Sequence, residues 1–394
     1  MDYNRTISQQ EYARRKKVIR EAMSKKDVDL IIIGGSDKWE QRGMMRYMTG
    51  YYVPIFEEYL LFPAVGPLTF FSHYSYGAKH AHDYPAIEHA DFIPLEDINH
   101  DPGRRVAEYV NSYKPKKIGI TRSNISAEFY VSLLAHLNDG IQIVDFTYDF
   151  DLARMPKSEE EIALSEIAVK MNEDAFWAYL RGVREGGTEL DAITEANYAL
   201  RKAGAEDQYW MVGSGATPAQ GSIPLAMDRK HVWKKGDLNV VVIEIAGPGG
   251  HFGEITHLIS LGEPTPEVFR AFNAVSEAQK LAAAAIKPGV PIGEIADLVN
   301  NYFVEAGYYP KDPAERARFT TGNLIGHGQG IDTMELPYIV SGDPTIIQPG
   351  TRINIHPNVA LPSGVRALSC DCYVATETGC RRLSAMPYDL IVVE

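Results

Sequence analysis

The chain has few of the features that mark membrane, nucleic-acid-binding or disulfide-bonded proteins. No apolar run approaches the roughly 18 residues that a membrane-spanning helix needs, and no apolar segment follows the charges of the first 17 residues. The longest basic block is 14–17, and the formal net charge is −13, which argues against a nucleic-acid partner. The only three cysteines cluster within 370–380, and an odd, clustered set fits a reducing compartment. We therefore expect a cytoplasmic protein without a membrane or nucleic-acid partner.

The length and the order of apolar segments predict two domains. A chain of 394 residues, 45% hydrophobic and 23% charged, is too long for one ordinary core. Helical and strand patterns alternate up to about residue 150, which indicates an α/β domain. The polar stretch 149–161 follows, and we place the boundary there, giving domains 1–153 and 154–394. After two further helices, we expect the stretch that contains Gly213, Gly215, Pro218 and Gly221 to be irregular.

The stretch 238–262 predicts a β-hairpin that carries two acids. Two runs rich in Val and Ile flank the Gly/Pro turn 247–250. Side chains alternate faces along a strand, so Glu244 interrupts an apolar run and Glu254 can face it across the ladder. Two such acids repel each other, and we expect either a bound positive partner or a raised pKa. One exposed face of an ordinary antiparallel sheet is the alternative.

Further polar residues interrupt the later apolar segments. His327 lies between glycines, where a backbone can approach a ligand closely, and Glu335 follows at loop-like spacing. His356 interrupts the strand RINIHP, and Asn354 shares its face. Each signal alone is weak, because a single histidine in a strand is usually structural. Together they predict one polar pocket in a curved sheet.

Other residues of this part of the chain allow two interpretations. Cys370 and Asp371 are adjacent, so only one of them can share a face with the polar residues. Cys370 could be a nucleophile beside His356, but a small buried apolar residue is the more common role of a cysteine. Trp210 could line the pocket for cation–π contacts or belong to the core.

Several sequence blocks resemble, in order and over nearly the whole chain, the creatinase, prolidase and methionine aminopeptidase family. They are RYMTGY, LARMPKSEEE, KKGDLNVVVIEIAG, GEITHLISLG, IGHGQGIDTMELPYI, IQPGTRINIHP and VRALSCDCYVATETG. The resemblance implies an α/β N-terminal domain followed by an α+β "pita-bread" catalytic domain. It also implies a homodimer and a small-molecule substrate.

The resemblance carries the family's five metal ligands onto altered residues. Their positions hold Glu244, Glu254, His327, His356 and Cys370 where the metallopeptidases have two Asp, one His and two Glu. Losing both Glu removes bridging carboxylates, so the altered set argues against a two-metal site. One divalent ion (Zn, Fe or Mn) held by Glu244, Glu254, His327 and His356 remains chemically reasonable, although no cofactor is the favoured expectation.

Two other family histidines have no counterpart. Met334 stands where one of them precedes the Glu of the ExP block. The other, a substrate-binding histidine, is absent from GSIPL, which offers Ser222 in its place.

These departures resemble creatinase and ectoine hydrolase, the metal-free members. We therefore expect a hydrolase that cleaves a C–N bond in a small cationic or zwitterionic amidine or amide. The alternatives are a metal-dependent Xaa-Pro dipeptidase or aminopeptidase with a mononuclear site, a lyase acting on a small onium compound, and a non-catalytic protein.

The favoured hypothesis assigns a role to each candidate residue. Glu244 and Glu254 would bind the cationic group, and His327 or His356 would carry a proton between water and the leaving nitrogen. Glu335 would orient a histidine or act as a second acid. The substrate-binding candidates are Arg366, which could hold a substrate carboxylate, and Asn354, Trp210 and Ser222.

Overall fold

The computed structural model describes residues 6–38, 41–216, 231–319 and 324–394, with only the backbone described at 95 and 317–319. These residues form two compact units, Thr6–Arg154 and Met155–Glu394. Among them, no helix combines the length and apolar composition that crossing a membrane requires. Ser222 lies outside the described residues.

The first unit alternates helices and strands. Its helices are α1 (Gln9–Lys25), α2 (Gly43–Thr49), α3 (Ser75–His80), α4 (Leu95–Ile98), α5 (Arg104–Tyr113), α6 (Ala127–His136) and α7 (Thr147–Arg154). Its strands are β1 (Leu30–Gly35), β2 (Glu58–Pro63), β3 (Thr69–Ser72), β4 (His89–Phe92), β5 (Lys117–Ile120) and β6 (Gln142–Asp145).

The six strands of this unit form one mixed sheet in the order β4-β3-β2-β1-β5-β6. β1 pairs antiparallel with β2 and parallel with β5, and every residue of β1 is buried. A strand buried on both faces has a continuous apolar sequence, which is why 30–33 lacks polar alternation. Helices α5 and α6 cover the sheet through Val106, Val110, Phe129 and Leu133.

The second unit begins with two long capped helices. Its helices are α8 (Glu159–Gly182), α9 (Glu189–Ala203), α10 (Pro266–Ala285), α11 (Ile292–Glu305) and α12 (Pro313–Phe319). Its longer strands are β7 (Asp207–Gly215), β8 (Leu238–Ala246) and β9 (Phe252–Leu261). Shorter strands follow: β10 (Gly326–Gly328), β11 (Glu335–Tyr338), β12 (Arg352–Ile355), β13 (Asn358–Ala360), β14 (Arg366–Leu368), β15 (Asp371–Ala375), β16 (Cys380–Arg382) and β17 (Ile391–Val393).

The strands of the second unit form three sheets, in the orders β17-β9-β8-β7, β11-β10-β12-β15-β16 and β13-β14. Two backbone hydrogen bonds between Thr256 and Cys370 connect β9 to the residue that precedes β15. The expectation of an irregular stretch is wrong for Gly213 and Gly215, because they belong to β7, which pairs with β8 along its whole length. Pairing with a long, buried neighbour outweighs the weak strand preference of its two glycines. Pro218 and Gly221 lie outside the described residues.

Candidate metal centre

The hairpin β8–β9 holds Glu244 and Glu254 side by side. The register pairs the two residues directly, so both side chains lie on one face, as the alternation predicts. Their side chains are buried, with 7% and 4% of their surface exposed. Tyr209 on β7 pairs with Glu244 and shares that face, whereas Trp210 pairs with Ile243 on the opposite face.

The second sheet supplies the two histidines. His327 on β10 pairs with Asn354 on β12, and His356 follows the end of β12. The glycines beside His327 allow this packing. A Cβ atom at Gly326 would lie 2.0 Å from the carbonyl oxygen of Asn354, and one at Gly328 would lie 2.1 Å from that of Leu336. The GHG sequence therefore lets neighbouring backbone come close on both sides of the histidine.

Three of the polar side chains converge on one point. Ligand atoms of Glu254, His327 and His356 all lie within 4.8 Å of one another. Oε2 of Glu254 is 3.6 Å from Nε2 of His327 and 3.4 Å from Nε2 of His356. The centroids of the two imidazole rings are 4.6 Å apart, and the ring planes meet at 78°. We call these three residues the cluster.

The carboxylate of this cluster is oriented by neutral donors. Nδ2 of Asn354 donates to Oε2 of Glu254 at 2.9 Å, and the thiol of Cys370 also donates to this carboxylate. Burial acts to raise the pKa of Glu254, but the electrostatic effects of His356 and His327 outweigh burial, so the pKa is lowered. Glu254 is therefore an anion at neutral pH.

His327 presents a nitrogen lone pair to the cluster. Its Nδ1 lies 2.8 Å from the carbonyl oxygen of Gly328, and because a carbonyl only accepts, Nδ1 carries the hydrogen. The lone pair is then on Nε2, the atom that faces Glu254. Burial, followed by the electrostatic effect of His356, lowers the pKa of His327 to about 4, so its ring is neutral at pH 7. A neutral imidazole is the form that binds a metal ion.

The donor set fits one divalent ion. Nε2 of His356 is buried without a hydrogen-bond partner among the described residues, and an ion shared with Glu254 and His327 would satisfy it. Two imidazoles and one carboxylate suit Zn²⁺, Fe²⁺ or Mn²⁺ and leave coordination positions open. In the part of the chain that the structure describes, no second cluster of this kind occurs.

Glu335 has different neighbours from those that the sequence suggested. Its Oε2 accepts from Nζ of buried Lys157 at 2.5 Å, and its Oε1 accepts from the backbone of Ile331 and Asp332. These bonds fix the loop after His327 to the segment before α8. Sequence reasoning missed Lys157, because its partner is 178 residues away.

Arg352 is a second buried residue that sequence reasoning missed. Its guanidinium donates to Oε1 of Gln329, to the carbonyl of Phe252 and to Oγ of Ser165. It therefore connects the start of β9, the loop after His327 and α8. A charge inside the apolar run RINI was a usable signal, of the same kind that identified Glu244.

Cys370 and Asp371 face in opposite directions, as their adjacency requires. Cys370 contacts Glu254, whereas Oδ2 of Asp371 accepts from Arg382 and Oδ1 accepts from the backbone of Cys372. Burial, followed by the charge of Glu254, raises the pKa of the Cys370 thiol well above its ordinary value. Cys370 is therefore a protonated hydrogen-bond donor rather than a thiolate nucleophile.

The substrate-binding candidates Trp210 and Arg366 lie on β7 and β14. Trp210 does not share the face of Glu244: its Nε1 donates to Asn197 on α9, and its ring stacks with Tyr179 on α8. Trp210 as a wall of the pocket is thus wrong, because strand alternation turns it toward the helices. Arg366 is buried at the start of β14, on the two-stranded ladder with β13.

Comparison with known families matches both units. The model of metallopeptidase family M24 matches residues 163–381, more than half of the chain, and that of the creatinase/prolidase N-terminal domain matches 14–156. An uncharacterized peptidase, YqhT of Bacillus subtilis, is 28% identical over 73% of this chain and 78% of its own length. An Xaa-Pro dipeptidase of Pyrococcus horikoshii is 26% identical over 78% of this chain and 83% of its own.

Solved structures match the fold of the whole chain. Dipeptidase PepE from Mycobacterium ulcerans has a TM-score of 0.82 at 23% identity and covers 99% of this chain and 100% of its own. The X-Pro aminopeptidase from Thermotoga maritima has a TM-score of 0.79 at 21% identity, and the match covers 96% of this chain and 99% of its own. The two-domain fold with a pita-bread second domain is confirmed.

The expectation of a creatinase-like C–N hydrolase acting on an amidine is wrong. The similar proteins are peptidases, including Xaa-Pro dipeptidases and dipeptidase PepE, and they support the peptidase alternative. The error came from treating replaced ligands as lost metal binding. In the structure the replacement residue His356 still offers a ligand atom to the cluster.

Proposed function

Because the chain belongs to metallopeptidase family M24, a family of hydrolases, we propose that it is a metal-dependent Xaa-Pro dipeptidase that works with one divalent ion. The observation that carries the proposal is the convergence of Oε2 of Glu254 with Nε2 of His327 and His356. Relatives named Xaa-Pro dipeptidase support the substrate class.

Glu254, His327 and His356 would hold the ion. A divalent ion at this position supplies Lewis-acid polarisation of the scissile carbonyl when it is bound. The chain contributes ligands that are prepared in advance: Gly328 fixes the ring of His327, and Asn354 with Cys370 fixes the carboxylate of Glu254. Three protein ligands leave space for substrate, as in catalytic rather than structural zinc sites.

We assign proton transfer to Glu244. It shares the face of Glu254 and is buried beside it in the register, but it is not one of the three clustered ligands. A carboxylate next to the reacting atoms can accept the proton of the attacking water and pass it to the leaving nitrogen. Arg366 remains our candidate for the carboxylate of the dipeptide. The domain boundary at 153/154, a homodimer and a cytoplasmic location remain predictions.

The test combines metal analysis with dipeptide turnover. We expect the purified full chain to contain about one divalent ion, since one three-ligand cluster occurs among the described residues. Chelation should abolish hydrolysis of Ala-Pro and Met-Pro, and Zn²⁺, Mn²⁺ or Fe²⁺ should restore it. Glu244→Gln should keep the ion and lower kcat by about 100-fold or more.

Two outcomes would contradict the proposal. Hydrolysis that survives complete chelation would remove the metal from the mechanism, and loss of the ion in Glu244→Gln would make Glu244 a ligand instead of a proton acceptor. His89→Ala, at an exposed histidine on β4, is a control substitution outside the cluster and should leave metal content and kcat unchanged.

A further inference from the structure

The first unit contains a cleft of about 710 Å³ lined mainly by aromatic side chains. Its walls include Tyr51, Tyr74, Tyr76 and Tyr84, and Glu58 contributes a carboxylate. We call these five residues the tyrosine cleft. Nothing in the proposed dipeptidase chemistry uses them.

Glu58 is an unusual residue for such a position. Only 2% of its surface is exposed, and it begins β2 in the middle region of the sheet. Oε1 accepts from Oγ of Ser72 at 2.7 Å and lies 3.5 Å from the hydroxyl of Tyr51. Oε2 is buried and has no hydrogen-bond partner among the described residues. A buried carboxylate oxygen without a donor is costly, so a group that donates to it would be bound favourably.

The aromatic rings that line the cleft with Glu58 suit a cation with an apolar body. Tyr51 and Tyr84 meet edge to face with centroids 5.0 Å apart, while Tyr74 and Tyr76 are 40% and 70% exposed. Ring faces attract cations, and ring edges pack against alkyl groups. Tyr52 also lines the cleft, but Arg42 and Arg46 already lie over its ring, so we leave it out of the binding set.

The charges of the cleft favour a positive ligand. Besides Glu58, the cleft is lined by Asp83 and His80, whose Oδ2 and Nδ1 atoms lie 2.9 Å apart. Glu58 is thus the charge left for a ligand. A volume of 710 Å³ exceeds what a bare metal ion fills, and a single carboxylate among phenol rings is a poor metal site.

We propose that the tyrosine cleft binds a small organic ammonium ion, whose N–H group donates to Oε2 of Glu58 while its alkyl part packs against the tyrosine rings. A primary ammonium fits better than a quaternary one, because only the former can donate a hydrogen bond to that oxygen. The ionisation of Glu58 agrees with this assignment. Burial, the largest influence, raises the pKa of Glu58 to about 7, so a bound cation would stabilise the ionised form.

Titration of the full chain with n-butylammonium chloride at pH 7.5 tests the proposal, with n-butanol as the neutral molecule of similar shape. Isothermal titration calorimetry and chemical shifts of the tyrosine rings report binding. We expect n-butylammonium to bind and n-butanol to bind at least about tenfold more weakly, because the charge-assisted hydrogen bond is lost.

Variants then locate the site. Glu58→Gln should weaken n-butylammonium binding about tenfold or more. The neighbouring Glu57→Gln should not, since Glu57 accepts from Tyr59 and does not line the cleft. Tyr76→Ser, at a position where the side chain is 70% exposed, should weaken binding about two- to fivefold and covers the case in which Glu58→Gln fails to fold.

Three results would overturn the proposal. The first is binding of n-butanol that equals that of n-butylammonium. The second is n-butylammonium binding that is unchanged in both Glu58→Gln and Tyr76→Ser. The third is no n-butylammonium binding to the chain together with a changed oligomeric state of Tyr76→Ser, which would assign the cleft to a second copy of the chain. Metal content and dipeptide turnover should not change in these variants, so this proposal and the proposed peptidase activity can fail separately.

Discussion

Two carboxylic acids, one in each unit, are buried to nearly the same extent, but their pKa values shift in opposite directions. Glu58 is 2% exposed and Glu254 is 4% exposed. Burial raises the pKa of Glu58 to about 7. It acts in the same direction on Glu254, yet His356 and His327 lower the pKa of that residue. Among the described residues, the donors to Glu58 are hydroxyl groups, those of Ser72 and Tyr51.

The difference shows that neighbours, rather than depth, decide what a buried acid can do. An acid with cationic or imidazole neighbours stays ionised and is suited to hold a metal ion. An acid surrounded by phenol rings remains partly protonated until a cation arrives. The same residue type thus leads to two proposals, a metal ligand in the second unit and an ammonium site in the first.

The largest expected effect comes from removing the ionised acid. Glu254→Gln keeps the shape but removes the charge that the two imidazoles face. We expect metal affinity and dipeptide turnover to fall by about 1,000-fold, more than the roughly 10- to 100-fold typical of losing an outer hydrogen-bond partner. Elemental analysis after dialysis and steady-state kinetics measure both.

The matched control is Glu58→Gln, the same change at the other buried acid. It should retain one ion per chain and normal turnover. If both variants lose the metal, the loss reflects general unfolding, and the comparison between the two acids fails. If neither does, Glu254 is not a ligand.

The second-largest expected effect is a change of folding stability with pH that the titration of Glu58 causes. Its folded-state pKa of about 7 lies above the ordinary value of 4.5, so its contribution to stability is full below about pH 4.5 and is lost as pH rises through 7. From pH 5 to pH 8 we expect the free energy of unfolding of the chain to fall by on the order of 2 kcal/mol, and we expect no such fall in Glu58→Gln. Glu254, with a lowered pKa, contributes in the opposite direction, and its stabilisation is lost as pH falls below 4.5.

Urea unfolding of the chain and of Glu58→Gln at pH 5 and pH 8 measures this difference. Glu57→Gln serves as control, because the same charge is removed next to the cleft. An identical pH slope in the chain and in Glu58→Gln would show that Glu58 is ionised normally, which would remove the contrast with Glu254.

Much of the second unit could be predicted from local patterns. Alternation along 238–262 placed Glu244 and Glu254 on one face, and the register pairs them. Alternation along RINIHP likewise predicted one face for Asn354 and His356, and both side chains reach Oε2 of Glu254. Such inferences succeed because the side-chain period of a strand is fixed by its backbone.

The remainder depended on contacts between distant segments. Trp210 was misplaced because β7 was not recognised as a strand, and without its register to β8 the face of the residue is undefined. Lys157 reaches Glu335 across 178 residues. The tyrosine cleft combines residues of the loop 51–57, β2 and α3, and no spacing within one element reveals it. Sequence periodicity describes one element at a time, whereas these sites arise where elements meet.

The smallest expected effect comes from removing one hydrogen-bond donor from each of the two acids, Glu254 and Glu58. Asn354→Ala removes the hydrogen bond to Oε2 of Glu254, and Ser72→Ala removes the corresponding bond to Oε1 of Glu58. Because an outer partner orients a ligand without binding the ion, Asn354→Ala should weaken metal binding about tenfold, measured by competition with a chelator. Ser72→Ala should leave metal binding unchanged and raise the pKa of Glu58 further, since a donor to the ionised form is lost. Unchanged metal affinity in Asn354→Ala would mean that the two histidines alone fix the position of Glu254.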